Sequence, residues 1–307
     1  MPFDRKTLVI PDGTKFEEHM IVTSGDVIIA DNAGTDFGFK TDGRVFIGER
    51  AQVKGKISSG SDIYIDMFSR VEGDVSSDGN AYLGDKVVIE GKLSVKGDLD
   101  VGDNVEIRDG FEAKGWINIR SPIPLIIYIF IYLLQLLRLG KSEEIEKILK
   151  ELEESKDKFI PISERFLFIP SNAYLGIQNS RTSSNLLIGK NCRVVGNFEA
   201  PGLVNVGEET VIYGSIEAGS DVVVGKEVEI HGNLEADGDI YLGERVRIHG
   251  DVEGDKVFIP RSSHIEGKLL ARKGVLFEKV DREKIEEKLI RFNSGADVVD
   301  EIKDALE

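Results

Sequence analysis

The chain has 307 residues, 33 of them glycine and 8 proline, with 39 basic against 55 acidic side chains and a formal net charge of −16. Glycine at this level without a Gly-X-Y period excludes collagen, and 41% hydrophobic content suffices for a packed core. The acidic balance argues against a nucleic-acid partner, which needs a basic footprint, and a single cysteine, Cys192, excludes an internal disulfide framework and a cysteine-based zinc site.

Residues 1–24 carry no signal-peptide pattern, so the expected location is cytoplasmic. From Val45 onward an 18-residue period takes over. With Val45 as position zero, Ile63, Ala81, Leu99 and Ile117 repeat it. Position two is held by Ile47, Ile65, Leu83 and Val101, position eight by Val53, Val71 and Ile89, and position twelve by Ile57, Val75 and Leu93. Glycine recurs at position ten as Gly55, Gly73 and Gly91. The same ruler fits the second half from Leu186, with Gly196, Gly214, Gly232, Gly250 and Gly267 at position ten and one 17-residue step from Ile240 to Val257.

All these apolar positions are even. Strand side chains alternate between faces, so one parity points inward, and an even period preserves it from coil to coil. The pattern predicts an all-β solenoid in which residue i stacks on i+18 at strand spacing. Small residues at position fourteen (Ser59, Ser77, Ala200, Ala218) suit a narrow interior, and glycine suits corners where a Cβ would crowd the turn. The halves also match each other at an offset of 159: Leu8-Val9-Ile10-Pro11 corresponds to Leu167-Phe168-Ile169-Pro170. The expected organisation is two tandem parallel β-helices over 1–121 and 161–280, a helical insert over 122–160 and a C-terminal helical cap over 281–307.

The run from Gly225 through Ile230, Gly232, Leu234 and Ala236 to Gly238-Asp239-Ile240, with Ile212-Tyr213-Gly214-Ser215-Ile216-Glu217-Ala218 one coil earlier, resembles the bactofilins, polymer-forming cytoskeletal proteins with archaeal-type relatives. The resemblance implies a right-handed, triangular β-helix that associates through its ends without nucleotide. It also implies a non-enzymatic scaffold whose partner is itself, with no cofactor. Tandem repeats, an apolar insert and a C-terminal tail are departures from the simple pattern.

Within the insert, residues 123–139 are apolar all round. They suit a buried helix begun by Pro122 and Pro124 and ended by Gly140, and fall short of a comfortable bilayer span. Ile126, Ile127, Ile129, Phe130, Ile131, Leu133, Leu134 and Leu137 are the candidate self-association or membrane-contact residues, which would make the protein peripheral to a membrane surface. Residues 142–158 follow as a charged amphipathic helix with Ile145, Ile148, Leu149 and Leu152 on one face.

Two surface patterns could carry chemistry. Glu199, Glu217, Glu235 and Glu253 fall at position thirteen, a stripe of like charges at strand spacing where the first half has Ser58, Ser76 and Ser94. His231 and His249 stack at position nine. They are weak candidates for the general base of a hexapeptide-repeat acyltransferase, whose coil is also about 18 residues. The stack is also too sparse by itself to define a metal site. A membrane-bound adaptor that does not polymerise is the third reading. No phosphate-binding loop is present, so neither nucleotide nor other cofactor is expected.

Overall fold

A computed structural model describes residues 6–119, Ser163 and 165–277; the expected helices at 123–139, 142–158 and 281–307 lie outside them. The described residues form an all-β solenoid of about twelve turns with no helix. Each coil carries three short strands, as in Val45–Ile47, Gln52–Val53 and Ile57–Ser59. They lie at positions zero to two, seven to eight and twelve to fourteen, and define the first, second and third faces of a tube. Parallel pairing runs in register with the period: Ile63 faces Val45 and Ala81, Val71 faces Val53 and Ile89, and Val75 faces Ile57 and Leu93. The 17-residue step is present as Ile240 opposite Val257, and a shift between Gly254 and Lys256 restores 18.

The even positions are the core. Val45, Ile63, Ala81, Val53, Ile57 and Leu93 are fully buried, and the same holds for Ile212, Ile230, Ile248, Leu234 and Val252 in the second array. Each large aliphatic removed from water contributes about 1.5–3 kcal/mol. The buried hydroxyls at position fourteen are satisfied: Ser59 Oγ donates to the Gly43 carbonyl at 2.7 Å, and Ser77 Oγ to that of Ser61 at 2.7 Å.

Most position-ten glycines are needed for space, not for their φ, the exception being Gly196 at φ +103°. A Cβ on Gly55 would lie 2.0 Å from Gly38 N, and one on Gly214 2.1 Å from the Gly196 carbonyl oxygen. The left-handed corner is elsewhere, at position five, and non-glycine residues hold it: Asn32, Arg50, Phe68, Lys86 and Asn104, then Asn191, Glu209, Glu227 and Arg245. Each costs on the order of 1 kcal/mol in backbone strain. Stacking of the corners offsets part of it, since Arg50 and Lys86 both lie about 5 Å from the Phe68 ring. Corner amides are capped from the neighbouring coil by Asp and Asn. Asp62 Oδ1 accepts from Asn80 N, Asn80 Oδ1 from Asp98 N and Asp98 Oδ1 from Trp116 N, at 2.7–2.8 Å.

The two arrays meet head to head and exchange their first strands. Leu8–Ile10, from the first repeat, stacks in parallel on Leu186–Ile188 of the second array. Phe166–Ile169, from the second repeat, stacks on Asp26–Ile29 of the first. The exchanged strands pair antiparallel at Val9 and Phe168. That pair is 159 residues apart, and the same offset relates the other seam strands two by two. Lys15 opposite Val22 becomes Tyr174 opposite Arg181, and Lys15 opposite Arg193 becomes Gly34 opposite Tyr174. A pseudo-twofold axis therefore crosses the seam at right angles to the tube. The first face continues into itself, while the second face of one array continues into the third face of the other. The rod is roughly 60 Å long at strand spacing, and both of its tips are C-terminal coils.

A buried ion pair locks one side of the seam. Asp26, its side chain 3% exposed, meets Arg44 at 2.5 Å and accepts from Ser163 N and Arg44 N, each at 2.9 Å. Burial alone would raise the Asp26 carboxyl. The Arg44 guanidinium and these two amides outweigh it and hold the group below the usual aspartate value.

Two predictions follow from this packing. Gly55→Ala forces a Cβ into the Gly38 backbone and should lower stability by about 1–3 kcal/mol in thermal unfolding. Because the folded Asp26 is the stronger acid, its contribution is complete above the unfolded value of about 4 and is lost as pH falls through the folded value. Asp26→Asn should therefore destabilise by about 2 kcal/mol at pH 7 and flatten the loss of stability below pH 4, read from denaturant titrations across pH.

Candidate association surfaces

Three surfaces stand out on the rod: its tips, the third face of the second array, and a histidine cluster.

At the first tip, Ile117–Ile119 pairs only with Leu99–Val101, and Phe111–Ala113 only with Leu93–Val95. At the second tip, Leu269–Leu276 pairs only with Val252–Phe258. Among the described residues, each tip thus ends in a strand with one unpaired edge. The inward positions that are sealed elsewhere open there: Ile119 is 72% exposed and Phe277 65%, and Phe111 and Ile117 are exposed as well, while Trp116, Leu270 and Leu276 add exposed apolar surface at outward positions. Unpaired backbone together with exposed apolar side chains is the template on which another strand adds.

The acidic stripe forms as the period requires. Glu199, Glu217, Glu235 and Glu253 sit opposite one another on successive strands. Its ends are neutralised, Glu199 by Arg181 at 2.7 Å and Glu253 by Arg272 at 3.4 Å, while Glu217 and Glu235 carry no ion pair among the described residues. The pseudo-twofold mates of the four are Lys40, Ser58, Ser76 and Ser94, in register on the first array. The two equivalent faces have therefore diverged in charge. The stripe borders an open groove of about 1030 Å³ that begins at the seam. There Tyr174 donates to Asp36 at 2.5 Å, and Lys54 bridges the two at 2.7 and 3.0 Å.

His231 and His249 do stack, with ring centroids 4.7 Å apart, and Tyr213 stacks on His231 at 4.6 Å. The period itself places Glu266 beside His249, at position nine of the following coil, but does not point to Glu229. Glu229, at position seven, places Oε1 2.9 Å from His249 Nε2 and 3.5 Å from His231 Nε2, and Glu266 Oε2 lies 2.9 Å from His249 Nδ1. These hydrogen bonds, first to Glu229 and then to Glu266, raise His249 above the ordinary imidazole value. That favours the imidazolium, the opposite of the neutral imidazole a general base must present. Cys192 is buried, and desolvation pushes its thiol up to about 11, so it is a packing residue and no nucleophile.

The membrane and self-association candidates at Ile126, Ile127, Ile129, Phe130, Ile131, Leu133, Leu134 and Leu137 lie outside the described residues. Among the described residues no helix is long and apolar enough to cross a membrane.

The architecture and the repeating edge chemistry define a β-solenoid of the kind that presents stackable ends. Residues 179–277 match the family model of the bactofilins, described as polymer-forming cytoskeletal proteins. No curated protein and no solved structure matches the chain.

Stacked carboxylates without partners repel, most strongly at low salt. The double variant Glu217→Gln, Glu235→Gln should raise the melting temperature slightly, by a few tenths of a kcal/mol in stability, and the gain should shrink in 0.5 M salt. An unchanged melting curve at low salt would show that the stripe carries no repulsion.

Proposed function

We propose that this protein is a non-enzymatic cytoplasmic scaffold that self-associates tip to tip. The observation that carries the reading is the pair of strand edges with exposed apolar residues at the two ends of one rod. The bactofilin match over 179–277 supports it, because that family is described as polymer-forming. Addition of a strand at a tip continues both the backbone hydrogen bonding and the aliphatic core, so nucleotide and catalysis have no part in the step. A rod with an edge at each end generates an open polymer, not a closed ring. Since both tips are C-terminal coils related by the pseudo-twofold, the polymer has little or no polarity. The exchanged strands at the seam occupy the N-terminal edges of both arrays and leave them closed to further addition.

Negative-stain electron microscopy of the full chain should show filaments with an axial repeat of roughly 60 Å or a multiple, set by the coil spacing. Ile119→Lys places a charge in the exposed tip core and should shorten the filaments markedly while the β circular dichroism spectrum stays unchanged. Discrete particles at every salt concentration would sink the proposal.

A further inference from the structure

The histidine cluster of the second array has the composition and spacing of a ligand set, independent of any polymer. Glu229 and His231 lie two residues apart on one coil, and His249 reaches the same point from the next. Their ligand atoms lie within 4.8 Å of one another. We propose that Glu229, His231 and His249 bind a divalent transition-metal ion of the zinc type, with Glu266 orienting His249 for that task.

Tetrahedral zinc with bonds of about 2.0–2.2 Å sets its ligand atoms roughly 3.3 Å apart. Glu229 Oε1 is already 3.5 Å from His231 Nε2 and 2.9 Å from His249 Nε2. An ion seated there takes the place of the Nε2 hydrogen bond: the His249 contact opens by a few tenths of an ångström, and the two imidazoles, stacked with centroids 4.7 Å apart, tilt toward each other to close on it. Two imidazoles and a carboxylate form a donor set suited to zinc, and also to copper, nickel or cobalt, whereas magnesium and calcium prefer all-oxygen cages.

The outer partners fit as well. Metal-bound histidines usually donate their second ring N–H to a carboxylate, which fixes tautomer and aim. His249 Nδ1 meets Glu266 Oε2 at 2.9 Å in that arrangement, from the third successive coil. Tyr213 stacked on His231, and His231 on His249, confine both imidazoles to one patch of the surface, which limits the side-chain entropy that binding costs. Arg247 lies opposite Glu229 on the neighbouring strand, and with two glutamates the local charge stays negative. All three ligands are partly exposed, so the fourth coordination position faces solvent and takes water. Bound metal would clip the coils at 229–231 and 247–249 together from outside the tube.

The test uses the full chain with Zn²⁺ by titration calorimetry and Co²⁺ by visible absorption. One ion per chain should bind with micromolar affinity, and cobalt should give the intense bands of a tetrahedral site, displaced by zinc. His231→Ala, His249→Ala and Glu229→Gln should each weaken zinc binding at least tenfold, while His19→Ala, on the other array, should not. Glu266→Gln should weaken it about tenfold with the cobalt band positions unchanged, and Glu266→Asp should restore part of the loss. Circular dichroism melts confirm that each variant is folded. Saturable binding absent at 100 µM zinc, or retained in the His231→Ala, His249→Ala double variant, would overturn the site. Binding lost with His249→Ala but untouched by His231→Ala would overturn its three-ligand form.

Discussion

Translation by one strand spacing along the tube axis, repeated every 18 residues, is the constraint on which everything else rests. Each coil presents its backbone amides and carbonyls to the next, and parallel pairing in register satisfies them without a long hydrogen-bonding element in any single coil. Once this translation is imposed, side chains at equal positions stack whatever their chemistry. Aliphatics stack into a core, Phe46, Tyr64 and Tyr82 into a ring ladder with centroids 4.7–4.9 Å apart, and glutamates into a stripe of unrelieved charge. The period amplifies favourable and unfavourable choices alike, which is why the crowded corner at position ten takes glycine in most coils, as at Gly55, Gly73 and Gly91 and again at Gly214, Gly232 and Gly250.

The acidity of the chain has part of its origin in the same geometry. Corner carboxylates such as Asp62, Asp98 and Asp251 accept backbone N–H groups of the adjoining coil, at 2.7 Å in each case. They close the hydrogen bonds that the strand ladders leave open at the corners, where a neutral side chain of similar size, Asn80 or Asn233, does the same work. The glutamates of the stripe have no such structural duty, and their pseudo-twofold mates are lysine and serine. Duplication has kept the corners and released the faces.

Joining two arrays head to head has a further consequence for association. A single solenoid coil has two different edges, and simple stacking would give a polar fibre. Here the seam consumes both N-terminal edges through exchanged strands, with the Asp26–Arg44 pair and the Ser163 contacts buried against it. What remains outward is the same kind of edge at both tips. The choice between a polar and a non-polar object is thus made inside one molecule.

The repeat, the inward parity and the 17-residue step were legible in the sequence, because burial alternates with period two and an even coil length keeps that alternation in phase. The acidic stripe and the His231–His249 stack were legible for the same reason. The 159-residue match between Leu8–Ile10 and Leu167–Ile169 marked the duplication. Only the tertiary structure decided that those two strands change places, because parallel and exchanged stacking bury the same apolar residues and leave the same pattern in the chain. It likewise decided that Glu229 reaches both histidines and that the left-handed corner falls on Arg50 and Phe68, not on glycine. Contacts between neighbouring coils at unlike positions, and backbone angles set by how one coil seats on the next, are properties of the stack and are written in no single repeat.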